Sequence, residues 1–134
     1  MARPTKKVLT IFDSEVDLGY YREGTFVYEV LKASKMMETP ISVNDFKHRL
    51  IETTTANGVS VKDLANEFLS DFDLEDTVTE ALLMTLDLME QDKLIKVTKG
   101  YYTEGPPPVA EILEVQLTRV GRSLYEILFD HLFD

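Results

Sequence analysis

The chain has 134 residues, of which 44% are hydrophobic, enough for one domain with a real core. It has no cysteine, which excludes disulfides, thiolate nucleophiles and cysteine-ligated zinc or iron–sulfur sites. The formal charge is −10; three of the 14 basic residues fall in the first seven positions, so from Val8 onward 11 basic face 24 acidic residues, a balance of −13 that a phosphate backbone repels unless the cations are segregated.

Arg3, Lys6 and Lys7 precede an apolar stretch, Val8–Phe12, that meets Asp13 at once. The stretch is too short for the apolar core of a signal peptide, and no apolar run approaches the roughly 18 residues of a membrane span. A cytoplasmic location without membrane contact is the expectation. Val8–Phe12 reads as a short strand or the first turn of a helix. Ser14–Tyr21, with Gly19 and paired tyrosines, reads as a connection. Residues 1–24 are therefore taken as an N-terminal extension and 25–134 as the domain proper.

From Thr25 the apolar spacing turns helical through Val27, Val30 and Leu31, and Pro40 stops that helix. Ser42 is an N-cap candidate for a second helix with Val43, Phe46, Leu50 and Ile51 on one face, closed by Thr53–Thr55 and Asn57-Gly58. Ser60 is the next cap candidate, before a short helix with Val61, Leu64, Phe68 and Leu69 on its face. Ser70–Glu75 is acidic and reads as a loop. A fourth helix spans about Asp76–Gln91, with Val78, Ala81, Leu82, Leu86 and Met89 inward. The period then changes: Leu94–Thr98 and Ile112–Leu117 read as strands. The glycine- and proline-rich segment between them predicts an antiparallel hairpin. Thr118 begins the last helix, which runs past Phe129 to Leu132 and Phe133.

Three helices, a two-stranded hairpin and a closing helix follow the order of winged-helix domains. The segments Ser60–Ala65, Leu88–Ile95 and Val115–Arg122 carry the resemblance. The first resembles the opening of the second helix of a helix-turn-helix, and the second the passage from recognition helix to wing. The third looks like the exit from the wing in bacterial regulators of the MarR and PadR type. The resemblance covers about Gly58 to Leu132. It implies an α+β winged helix-turn-helix with an N-terminal extension and a C-terminal dimerisation helix. Within it, Thr118 caps the last helix and Gly121 permits a close approach to a neighbouring element.

The candidate recognition helix departs from the DNA-binding pattern, because Asp76–Gln91 contains no Lys or Arg and carries Asp76, Glu80, Asp87 and Glu90. Base reading and backbone anchoring both need donors or cations there. Lys93, Lys96, Lys99, Arg119 and Arg122 are the candidate DNA-binding residues, if they form one stripe. The alternative is that they are solvated charges that blunt a sheet edge.

Catalytic chemistry finds no footing. His48 and His131 lack metal-ligand spacing, no serine lies in a nucleophile elbow, and the six glycines form no phosphate loop. Asp71–Asp76 lacks the central glycine of a calcium loop. No cofactor is expected. Tyr20, Tyr21, Phe26 and Tyr28 suit core and interface packing better than an effector pocket.

These features predict a regulatory or adaptor module that binds a protein partner, with nucleic acid disfavoured by charge; the alternative is a DNA-binding transcriptional regulator of the MarR/PadR type. A homodimer is expected, because the last helix is apolar around most of its girth, leaving Tyr125, Phe129, Leu132 and Phe133 as the candidate interface. The competing arrangement folds the N-terminal segment over that helix within one chain.

Overall fold

The computed structural model describes residues 8–69, 77–102 and 109–129. Among the described residues the architecture is α+β, with five α-helices and two small antiparallel sheets. Among the described residues no helix is long and apolar enough to cross a membrane. The expected acidic loop at Ser70–Glu75, the wing tip, Leu132 and Phe133 lie outside the described residues.

The first described element is a hairpin, β1 (Val8–Ile11) paired to β2 (Ser14–Asp17). The expected connection at Ser14–Tyr21 is thus half strand and half 3₁₀ turn, Leu18–Tyr21. Ile11 faces Ser14 across the ladder, so Phe12-Asp13 is a two-residue turn. Only its first residue has a positive φ, 54° at Phe12, a position that two-residue turns of this pattern usually give to glycine. Ile11, Val16 and Tyr21 are buried with the main core, so the N-terminal segment packs as part of it.

α1 (Phe26–Ala33) starts at Thr25, whose hydroxyl accepts from the Tyr28 amide at 3.1 Å, and runs into a 3₁₀ turn, Ser34–Met37. Pro40 disfavours helix at the residue before it, and Ile41–Ser42 form β3, which no local signal announces: it exists through pairing with Val115 and Glu114. The cap at Ser42 is present, its hydroxyl accepting from the Asp45 amide at 3.1 Å. α2 (Val43–Ala56) buries Phe46, Leu50 and Thr54, one residue every fourth position. The helix runs through Thr53–Thr55, where the Thr53 and Thr54 hydroxyls donate back to carbonyls one turn earlier, and stops at Asn57-Gly58 as the sequence predicts. Gly58, at φ 75°, ends the helix, with the Val59 amide on the Thr54 carbonyl at 2.8 Å. Ile51, expected on the buried face, is exposed.

α3 (Val61–Leu69) has Ser60 accepting from the Asp63 amide and buries Val61, Ala65 and Leu69; Leu64 and Phe68 are half-buried. α4 (Thr77–Gln91) buries Ala81, Leu82, Thr85, Leu86 and Met89. β4 (Ile95–Tyr102) and β5 (Val109–Leu117) form the expected antiparallel hairpin, longer at both strands than the alternation predicts, and β5 is the middle strand of β3-β5-β4. α5 (Arg119–Phe129) closes the described chain.

One corner joins distant segments. α4 ends with Lys93 in the left-handed region (φ 64°), the Lys93 amide on the Glu90 carbonyl and the Leu94 amide on the Met89 carbonyl, both at 2.9 Å. The Thr118 amide donates to the Leu94 carbonyl at 3.0 Å. Its hydroxyl lies 2.6 Å from the Lys93 carbonyl and accepts from the Gly121 amide at 3.1 Å. A methyl group at Gly121 would stand 2.1 Å from the Leu94 carbonyl oxygen, which is the close approach expected of that glycine. Tyr21 ties the N-terminal segment to the same corner, donating to Asp92 at 2.6 Å. Burial first, then the bond to Asp92 and its charge, push the Tyr21 hydroxyl well above the ordinary tyrosine range.

Candidate functional site

Because α4 turns one stripe into the core, its other stripe faces outward. Glu80, Met84, Asp87 and Gln91 are exposed at successive turns, and Gln91 donates to Asp87 at 3.0 Å. Met84 is 52% exposed and adds a thioether to this face. Thr77–Gln91 offers no cation anywhere along this face.

Beside it lies an open groove of about 510 Å³, bounded by the first turn of α2, by α4 and by β5. Its apolar wall is Val43, Leu83, Ile112 and Leu113; Ser42, Asn44, Lys47 and Thr79 supply the polar end. Lys47 donates to Thr79 at 3.1 Å, linking α2 to α4.

A break in the strand register builds the apolar wall. Thr98 faces Glu114 but Lys99 faces Ile112, so Leu113 is the extra residue of a β-bulge. A bulge re-aims the side chain it frees. Leu113 is 46% exposed and lies over β4 at Gly100, where a methyl group would meet its Cδ1 at 2.7 Å. Sequence reading missed the groove. Its one signal was Gly100, since a glycine inside a strand marks a bulge or a close approach.

The five candidate DNA-binding cations are not equivalent. Lys99 pairs with Glu90 at 3.7 Å, and Arg122 reaches Glu38 at 4.0 Å. The Arg119 guanidinium stacks 4.2 Å above the Phe12 ring. Lys93 and Lys96 are exposed, with no acidic side chain within 4.0 Å among the described residues. The corner brings Lys93 next to the start of α5, and so near Arg119, through the Thr118 hydroxyl. Lys99 stands further along the hairpin, opposite Ile112.

Along α5, Tyr125 and Phe129 are half-buried against their own chain. The Phe129 ring lies 5.2 Å from Tyr28 of α1 and 5.0 Å from Tyr125. β1 also packs against α5. Part of the second side of the helix is therefore covered from within the protein, while Ile127 stays 40% exposed. Of the aromatic residues considered for an effector pocket, Tyr21 and Phe26 are buried, Tyr28 is half-buried and Tyr20 is exposed.

No protein family, curated protein or solved structure matches this chain.

Proposed function

We propose that this chain is an acidic regulatory or adaptor module of the winged-helix type that acts by binding another protein and performs no catalytic step of its own. The order α2, α3, α4, hairpin, α5 supports the winged-helix reading. The observation that carries the partner class is the outward face of α4. In such a domain that helix would enter a groove of DNA, yet Glu80, Met84, Asp87 and Gln91 offer a duplex two charges of the wrong sign and a thioether. Protein surfaces accept that mixture, and methionine is a common contact at adaptable interfaces.

The test is fluorescence anisotropy with random-sequence duplex DNA near physiological salt. No saturable binding is expected; submicromolar affinity overturns the proposal. A second reading, the DNA-binding regulator of MarR/PadR type, draws on Lys93 and Lys96, exposed beside the start of α5 with no acidic side chain within 4.0 Å among the described residues. It requires duplex binding whose salt slope falls by about one unit per lost phosphate contact when both are changed to Gln. A homodimer joined along α5 remains part of the proposal, supported by the exposure of Ile127. A monomer mass by light scattering at micromolar concentration removes it.

A further inference from the structure

The groove between α2, α4 and β5 has a shape and a charge that narrow the partner. We infer that it docks a basic amphipathic segment of another protein, apolar side chains seated on Leu83, Ile112 and Leu113, with lysine or arginine side chains over Glu80 and Asp87. This rests on the protein-binding reading above and adds to it the place and the chemistry of contact.

Three observations carry it. First, the groove is built rather than left over. The bulge re-aims Leu113, and Gly100 on the neighbouring strand makes room for it to lie open to solvent on the groove wall. Met84 continues the apolar surface on the adjoining face of α4. Second, the volume of about 510 Å³ falls within the range of sites that enclose a ligand or a few anchoring side chains. Third, the α4 side of the rim is acidic. Glu80 and Asp87 stand three residues before and four after Leu83, which makes them its neighbours on the helix surface. Lys47, on the groove's polar end, keeps its charge while donating to Thr79, and Lys99 is paired with Glu90, so Glu80 and Asp87 leave the α4 side net acidic.

An apolar floor with an acidic rim on the α4 side selects a partner with an apolar ridge and basic flanks, the pattern of a helix laid in a groove. The same charges argue against the other occupants. A second copy meeting this face two-fold would set Glu80 and Asp87 of each protomer against those of the other, and nucleic acid would bring phosphates to the same acids.

The probes are three labelled synthetic peptides of equal length: an amphipathic leucine–lysine peptide, its leucine–glutamate counterpart and a serine–lysine peptide of the same charge. Anisotropy at physiological ionic strength should show saturable one-to-one binding of the leucine–lysine peptide, with the other two at least about tenfold weaker. The double variant Leu113→Ser with Met84→Ser should weaken that binding about tenfold, because both side chains are exposed in the free protein and anchoring residues dominate such contacts. Circular dichroism should show it folded. Glu80→Gln with Asp87→Asn, which perturbs no packing, should weaken binding and flatten its salt dependence.

Equal binding of the serine–lysine peptide, or no effect of either double variant, overturns the inference. So does a dimer mass that Leu113→Ser abolishes, which would give the groove to a second copy. Duplex DNA in the same assay separates the two levels. Duplex binding sinks the protein-binding reading itself, whereas silence from duplex and peptide alike sinks only the groove.

Discussion

At Gly121 the missing side chain is a packing requirement. An alanine methyl would stand 2.1 Å from a carbonyl oxygen and 3.0 Å from the carbonyl carbon of Leu94, both backbone atoms that cannot step aside. Gly121→Ala should therefore cost about 3 kcal/mol or more, the upper range for overpacking, read as a lower urea midpoint. Gly100→Ala meets only the end of a leucine side chain and should cost about 1 kcal/mol. Lys93 presents the opposite case, a side chain held at φ 64° where glycine would rest unstrained. Lys93→Gly should stabilise by about 1 kcal/mol in the same titration, since the left-handed conformation costs a non-glycine residue about 1–2 kcal/mol and glycine gives part of that back in chain entropy. Caps were legible at this scale because they are local. Ser42, Ser60 and Thr118 each receive the amide three residues on, and such spacing is written in the sequence itself. Phe12 was not legible, because nothing local announces a bulky residue at a glycine position.

Among elements, legibility followed range. The amphipathic helices and the β4–β5 hairpin announce themselves by period, whereas β3 is two residues long and exists only through Val115 and Glu114. The groove escaped for the same reason, needing a bulge at Leu113, a glycine on the neighbouring strand and a leucine from α4. The link from the Leu18–Tyr21 turn to the end of α4 is equally non-local, and it titrates. Tyr21 holds its proton more tightly in the folded protein than in the unfolded chain, where a tyrosine ionises near about pH 10. Its contribution is therefore complete below that pH and declines as pH rises above it, because the unfolded chain then gains by ionising and the fold does not. Tyr21→Phe should cost about 1.5–3 kcal/mol at neutral pH, the worth of a hydrogen bond to a carboxylate. It should also remove part of the alkaline decline seen when urea midpoints are followed from pH 8 to about pH 11.

The charge of the whole molecule, −10 in all, governs what may approach it. A net negative field slows anionic partners and speeds cationic ones, so association with a basic partner should be faster at low salt and slow as salt rises, while dissociation changes little. Stopped-flow mixing with the leucine–lysine peptide at two ionic strengths checks this; an association rate indifferent to salt would place the recognition in the apolar wall alone.

The corner at Lys93-Leu94 has a consequence for how the protein opens. The Leu94 amide and the Thr118 amide are both locked there, one on Met89 and the other on Leu94, with Gly121 pressed against the same peptide group and Tyr21 anchored one residue upstream of Lys93. Loosening α5, the β4–β5 hairpin or the N-terminal turn each pulls on that one point. Solvent deuterium should reach those two amides only through unfolding of the whole chain, while the four-residue strands of the β1–β2 hairpin exchange through openings of their own. Two of the elements that wall the groove, α4 and β5, run into this corner, so the groove is carried on elements that should open last.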